Sequence, residues 1–287
     1  MQHPLVVAMG MLQFALAGGC ITMWLLLWRE RRIGSLIPYE RRLQVPWWGT
    51  DVIVLVAAVL FIETAAQLVV APRSTDAPRA LSASSLVMHA VGRLAWLAFA
   101  LNYLVRKTGA YADDLGFDAR KLGYDIRLGA GAFLAAIVPV YGIQIVLTQV
   151  AKFKSEHPLV KVTADHGSLG MLVLVTVLAA VVAPLVEEFM FRVVLQGWLE
   201  KKQVERRERL GMPGEPAGWM PIAMASAVFA LLHVANGPDW VALFVLSMFM
   251  GYVYQRTHRI FPSLVMHGLV NSLAMLELWV RYFAGTK

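Results

Sequence analysis

From Pro4 to Trp28 no side chain carries a charge, and the same holds from 128 to 150 and from Leu169 to Val186. About 20 residues of helix, rising ~1.5 Å each, cross the hydrocarbon core of a bilayer. Inside lipid every backbone N–H and C=O has to be bonded within its own segment, so uninterrupted apolar runs of this length fold as helices. Composition agrees: 58% of the chain is hydrophobic, only 16% is charged, and the mean hydropathy is +0.60. The expected fold is all-α, a polytopic membrane helix bundle of about eight transmembrane helices forming one integral domain over residues 1–287.

The spans fall at 5–28, 51–72, 85–105, 128–150, 169–199, 219–236, 240–256 and 260–283. The sixth and seventh are short and are separated by the turn signal Asn236-Gly237-Pro238-Asp239-Trp240. The first has no basic residue before it and Arg29, Arg31 and Arg32 after it, and it is too long for a signal-peptide core, which marks a retained anchor with its N-terminus outside. Between Tyr111 and Gly129, charges are interleaved with Leu115, Phe117, Leu122 and Ile126, a pattern suited to lying flat at the membrane surface.

The net charge of +7 does not imply nucleic acid, because the basic residues sit in short clusters between apolar runs. They follow the topology. One set of alternate loops holds Arg29, Arg31, Arg32, Arg41 and Arg42, then Arg106, Lys107, Arg120, Lys121 and Arg127, then five more between Lys201 and Arg209, then Arg256 and Arg259. The opposite loops hold far fewer. The basic side faces the cytoplasm, so both termini are expected outside. Cys20 is the single cysteine, which excludes an intramolecular disulfide framework and a cysteine-based metal cluster.

Against this background three apolar spans carry groups that lipid penalises by at least ~2.5–3.5 kcal/mol per charge at mid-bilayer. The fifth contains Glu187, Glu188 and Arg192; the sixth contains Phe229 and His233; the eighth contains His267 and Asn271. Glu188 and Arg192 are one turn apart on one helix face and can pair, as can His267 and Asn271 in presenting an imidazole with a carboxamide. Glu187, rotated by about 100° from Glu188, lacks that partner. Counted from the basic ends, Glu187 and His233 each lie about 20 Å deep, and His267 about 10–12 Å with Asn271 a turn deeper. Converging in one cavity, a carboxylate beside an imidazole can take a proton from water and return one to a leaving amine. A second imidazole with an amide N–H can stabilise an oxyanion. That is equipment for adding water to a peptide carbonyl.

The three segments "EEFMFR", "FALLH" and "HGLVN" resemble, in order and spacing, the EExxxR, FxxxH and HxxxN motifs of the CPBP (Abi) family of intramembrane proteases. That family includes type II CAAX prenyl endopeptidases and bacterial proteins linked to bacteriocin processing and self-immunity. The motifs delimit a catalytic core at about 165–275. The resemblance implies that Glu187 and His233 activate water, that His267 and Asn271 form the oxyanion site, and that Glu188, Arg192 and Phe229 support the geometry. It also implies membrane lipids and a peptide or protein substrate, in the prenyl branch a lipid-modified one, as partners; the depths counted from the basic ends place the expected cavity open to the cytoplasm.

No cofactor is expected. Were zinc used, Glu187, His233 and His267 would offer three ligands and an open fourth position, although no HExxH motif places two ligands on one helix. Rival classes are an ion- or proton-coupled transporter, which predicts inverted repeats with paired broken helices that are not evident, and a non-catalytic immunity or scaffold protein, which predicts full function without Glu187. Glu63 and Arg93 stand at equal depth on consecutive spans and are expected to pair, with Gln67 and His89 extending the contact. That pair staples the hairpin or gates the cavity. His3, His157, His166 and His258 fall in tails or loops and read as solvated, and Cys20 as packing.

Overall fold

A computed structural model describes residues 3–30, 37–41, 44–70, 82–150, 152, 168–212 and 218–285. Its helices are α1 (Pro4–Glu30), α2 (Gly49–Val70), α3 (Ala83–Thr108), α4 (Leu122–Ile145), α5 (Leu169–Arg209), α6 (Trp219–Leu231), α7 (Trp240–Thr257) and α8 (Ile260–Ala284), and no strand occurs among the described residues. Six of them, α1 to α5 and α8, are long and apolar enough to cross a membrane; α6, at 13 residues, is shorter. The protein is an all-helical integral membrane bundle. His157, His166 and the side chain of Gln67 lie outside the described residues.

Local chemistry sets the helix ends. Ser82 and Ser168 accept hydrogen bonds from the backbone N–H groups of Ser85 and Met171, capping α3 and α5. Gly109, at φ 70°, ends α3 in the left-handed conformation that costs glycine nothing. Three expected boundaries move, the fifth span among them: expected to end at 199, α5 runs on to Arg209. The sixth span was expected to reach 236, but α6 stops at Leu231 because the chain turns at His233 ahead of Gly237 (φ 95°) and Pro238. Of the stretch from Tyr111 to Gly129, the residues from Leu122 on belong to α4, where Asp125 is buried.

Helix α8 is the hub, packing on α1, α4, α7 and the middle of α5. On α4, Gly129 makes this possible: a Cβ there would stand 2.5 Å from the Pro262 carbonyl oxygen and 2.7 Å from Val265 Cβ. Gly129→Ala is expected to cost ~1–3 kcal/mol through forced separation of the two helices, read as a lowered unfolding midpoint of the detergent-purified protein. An unchanged midpoint would show that the helices do not touch there. α1 is tied to α4 through Ala135, whose carbonyl accepts from Trp24 Nε1 at 2.9 Å and from Cys20 Sγ at 3.8 Å. Cys20 is indeed a packed, buried side chain.

A polar clasp closes the basic end of the bundle. Arg259 donates to both oxygens of Asp125 at 2.9 Å and pairs with Glu40, which also takes a bond from Lys121 at 2.8 Å. His258 is not solvated: it is buried at φ 53°, held by Glu40 O at 2.9 Å and Glu200 at 3.3 Å. Burial pushes the Glu40 carboxyl up, but hydrogen bonds from Arg259 and Lys121 outweigh it and hold the group below its ordinary value. A depressed carboxylate stabilises the fold above its unfolded pKa and stops doing so as pH falls through the folded one. The stability advantage of the wild type over Glu40→Gln is therefore expected at pH 7 and should shrink on acidification below the ordinary carboxylate range, near pH 4.5. Thermal unfolding of both across that range checks it.

Candidate active site

The site is built on an irregular stretch of α5. Wide π turns at Leu178–Val182 and Phe189–Gln196 flank Ala183–Glu188, where Pro184 has no N–H to donate back along the helix. Carbonyls of this stretch also serve neighbouring elements. Asn271 of α8 donates its Nδ2–H to Ala179 O at 2.8 Å, and Trp47 donates its indole N–H to Val194 O at 3.0 Å. Gly268 of α8 allows the approach, since a Cβ there would lie 3.1 Å from Ala180 O.

Glu188 and Arg192 are both fully buried, with Arg192 Nε donating to Glu188 Oε2 at 3.0 Å. The other carboxylate oxygen takes Nδ1–H of His267 at 2.9 Å, and Arg192 Nη2 donates to Ser247 Oγ of α7 at 2.8 Å. The same face of α5 continues as a polar ladder. Gln196 donates to Glu200 and to Gly251 O, both at 2.8 Å, and Glu200 meets His258. Gly251 leaves the room this requires, because a Cβ there would come within 2.9 Å of Gln196 Oε1.

Glu187 is placed differently. It keeps 19% exposure and lies between two cationic or polar partners on separate helices. Its Oε2 is 3.8 Å from His267 Nε2 and its Oε1 is 3.8 Å from Arg93 Nη1. Both separations exceed a direct hydrogen bond and leave reach for a bridging water. The imidazole beside Glu187 is thus His267, not the expected His233. No hydrogen bond joins Glu187 to His233; the latter sits in the turn after α6, beyond the last helical residue.

His233 donates Nδ1–H to Phe229 O at 2.8 Å; a carbonyl only accepts, so the neutral ring presents an unprotonated Nε2. Phe229 is buried and stands between the two imidazoles, its ring 4.8 Å from that of His233 and 6.0 Å from that of His267. Asn271 commits one amide proton to Ala179, which leaves one for other use.

Glu63 and Arg93 do pair, Nε to Oε1 at 2.9 Å, and His89 Nδ1 meets Oε2 at 3.0 Å. What the sequence did not signal is that Arg93 also reaches Glu187, or that Ser247 anchors Arg192. Ser247 is one small hydroxyl in an apolar run and has no spacing partner. Gln196 and Glu200 were readable as further four-residue steps from Glu188 and Arg192. As for a metal, no three His, Cys, Asp or Glu side chains among the described residues gather closely enough to hold one. Glu187, His233 and His267 do not fit a zinc sphere in this arrangement.

The motif residues lie on α5, α6 and α8 and in the turn that follows α6. Residues 169–273 match the family described as type II CAAX prenyl endopeptidase Rce1-like. This is the family the three motifs resemble, and it supports a peptidase. No curated protein matches the chain, and no solved structure does. The Rce1-like region contains Glu187, His233, His267 and Asn271 and stops short of Arg93, Glu63 and His89.

Proposed function

We propose that this protein is an intramembrane endopeptidase that hydrolyses a peptide bond in a membrane-associated or lipid-modified, CAAX-like substrate. The observation that carries the reading is Glu187. It is the one motif carboxylate left partly exposed, it faces an imidazole nitrogen, and its neighbour Glu188 is committed to holding that same imidazole. Water entering the gap beside Glu187 loses a proton to the carboxylate as its oxygen adds to the scissile carbonyl. His267, fixed at Nδ1 by Glu188, turns Nε2 toward that carbon's oxygen. When doubly protonated it donates to the developing oxyanion, assisted by the second amide proton of Asn271. His233, whose Nε2 is unprotonated in the neutral ring, assists Glu187 in passing the proton to the leaving amine.

The cleft is assigned to the cytoplasmic side on the basic loops, with both termini outside. A cytoplasm-facing cleft suits a C-terminal tail tethered by lipid at the same surface. The test uses the full chain in liposomes with two probes, a farnesylated peptide ending in a CAAX sequence and the same peptide without lipid, each read by mass spectrometry with and without chelator. One internal cleavage by the wild type is expected. No product from either probe, or equal product from Glu187→Gln, overturns the reading.

A further inference from the structure

Three ionisable side chains from the part of the chain before residue 169 form a cluster, and one of them, Arg93, meets the candidate carboxylate. His89 and Arg93, one turn apart on α3, both bind Glu63 of α2, and the far end of the Arg93 guanidinium reaches Glu187 of α5. None is sealed away: Glu63, His89 and Arg93 keep 24%, 28% and 39% of their side chains exposed. Charges at this depth do not face lipid cheaply, so the exposed parts of these side chains call for water rather than lipid beside them.

Stapling the α2–α3 hairpin does not require this arrangement. The two helices already interlock at Gly92, where a Cβ would sit 3.3 Å from Ile62 Cγ2 and 3.6 Å from Ala66 Cβ. Glu63 fixes Nε of Arg93, and the planar fork then aims Nη1 at Oε1 of Glu187, while His267 addresses Oε2 from the opposite helix. A carboxylate with a guanidinium 3.8 Å from one oxygen and an imidazole 3.8 Å from the other is biased toward one orientation in which to meet water.

We propose that Arg93, oriented by Glu63 with His89, is a positioning residue for Glu187, so that the first half of the chain completes a site whose motifs all lie in the second. This rests on the reading that Glu187 activates water. A neutral residue at 93 releases one carboxylate oxygen, and misplacement on the scale of an ångström costs up to about 100-fold in rate.

The experiment measures kcat and KM for the farnesylated peptide with the full-length wild type, E187Q, R93Q, R93K and E63Q, all checked for helicity and monodisperse elution. Expected are a kcat for R93Q lowered about tenfold or more at near-constant KM, partial recovery in R93K, which restores charge without the fork, and a smaller loss in E63Q. An inactive E187Q beside a fully active R93Q overturns the positioning role and leaves the peptidase reading intact. Equal turnover by the wild type and E187Q overturns both. Should R93Q fail to fold, E63Q takes its place, and an unchanged kcat there overturns the proposal.

Discussion

Glu187→Gln is expected to lower peptide hydrolysis by about 10²–10⁴-fold, the usual contribution of a positioned general base. Glutamine keeps the size and the hydrogen-bonding oxygen but cannot accept the proton of water. The fold should survive, because Glu187 is partly exposed and its partners stand 3.8 Å away rather than in tight contact. His267 remains held by Glu188 and Arg93 by Glu63, so little else moves. The informative measurement is a paired one, cleavage of the farnesylated peptide and thermal unfolding on the same preparations. Loss of both together would make Glu187 a structural residue.

Arg192→Ala is expected to act in the opposite sense and to be the costliest single change to stability. Arg192 and Glu188 are both 0% exposed, and removing one member of a buried pair leaves the other charge uncompensated, at a cost of ~3–5 kcal/mol. The substitution also strands Ser247 Oγ and opens the space under Phe229, over whose ring the guanidinium lies 5.9 Å from the centroid. The double change Glu188→Gln with Arg192→Met should cost less than Arg192→Ala alone, since it leaves no lone charge. Unfolding midpoints of the three proteins in one detergent decide it. A double variant less stable than the single would mean that the hydrogen bond to His267, rather than charge pairing, holds this layer together.

These two neighbouring glutamates show how much was legible beforehand. Their separate faces follow from helical rotation alone, and so does the pairing of Glu188 with Arg192. Which of the two stays accessible does not follow, because it depends on how α3 and α8 dock against the Ala183–Glu188 turn. His267 illustrates the same limit. Its spacing from Asn271 is a property of one helix, but its closeness to both glutamates is a property of two. The expected neighbour of Glu187, His233, lies in a turn because α6 ends at Leu231, a boundary blurred in sequence by the apolar residues running through it. His258 read as a solvated loop residue for a similar reason: nothing local marks the buried Glu40 and Glu200 contacts that hold it.

The chain by itself determined that it is a bundle of membrane helices, where most of those helices begin and end, and which ionisable groups sit at bilayer depth. Lipid demands locally satisfied backbone and penalises charge residue by residue, so these properties are written along one dimension. Only the tertiary structure decided that Arg93 reaches Glu187, that Ser247 secures Arg192, and that Asn271 binds a carbonyl in the irregular stretch of α5. Those contacts join residues far apart in the chain, and side-chain reach across packed helices has no period for a sequence to display.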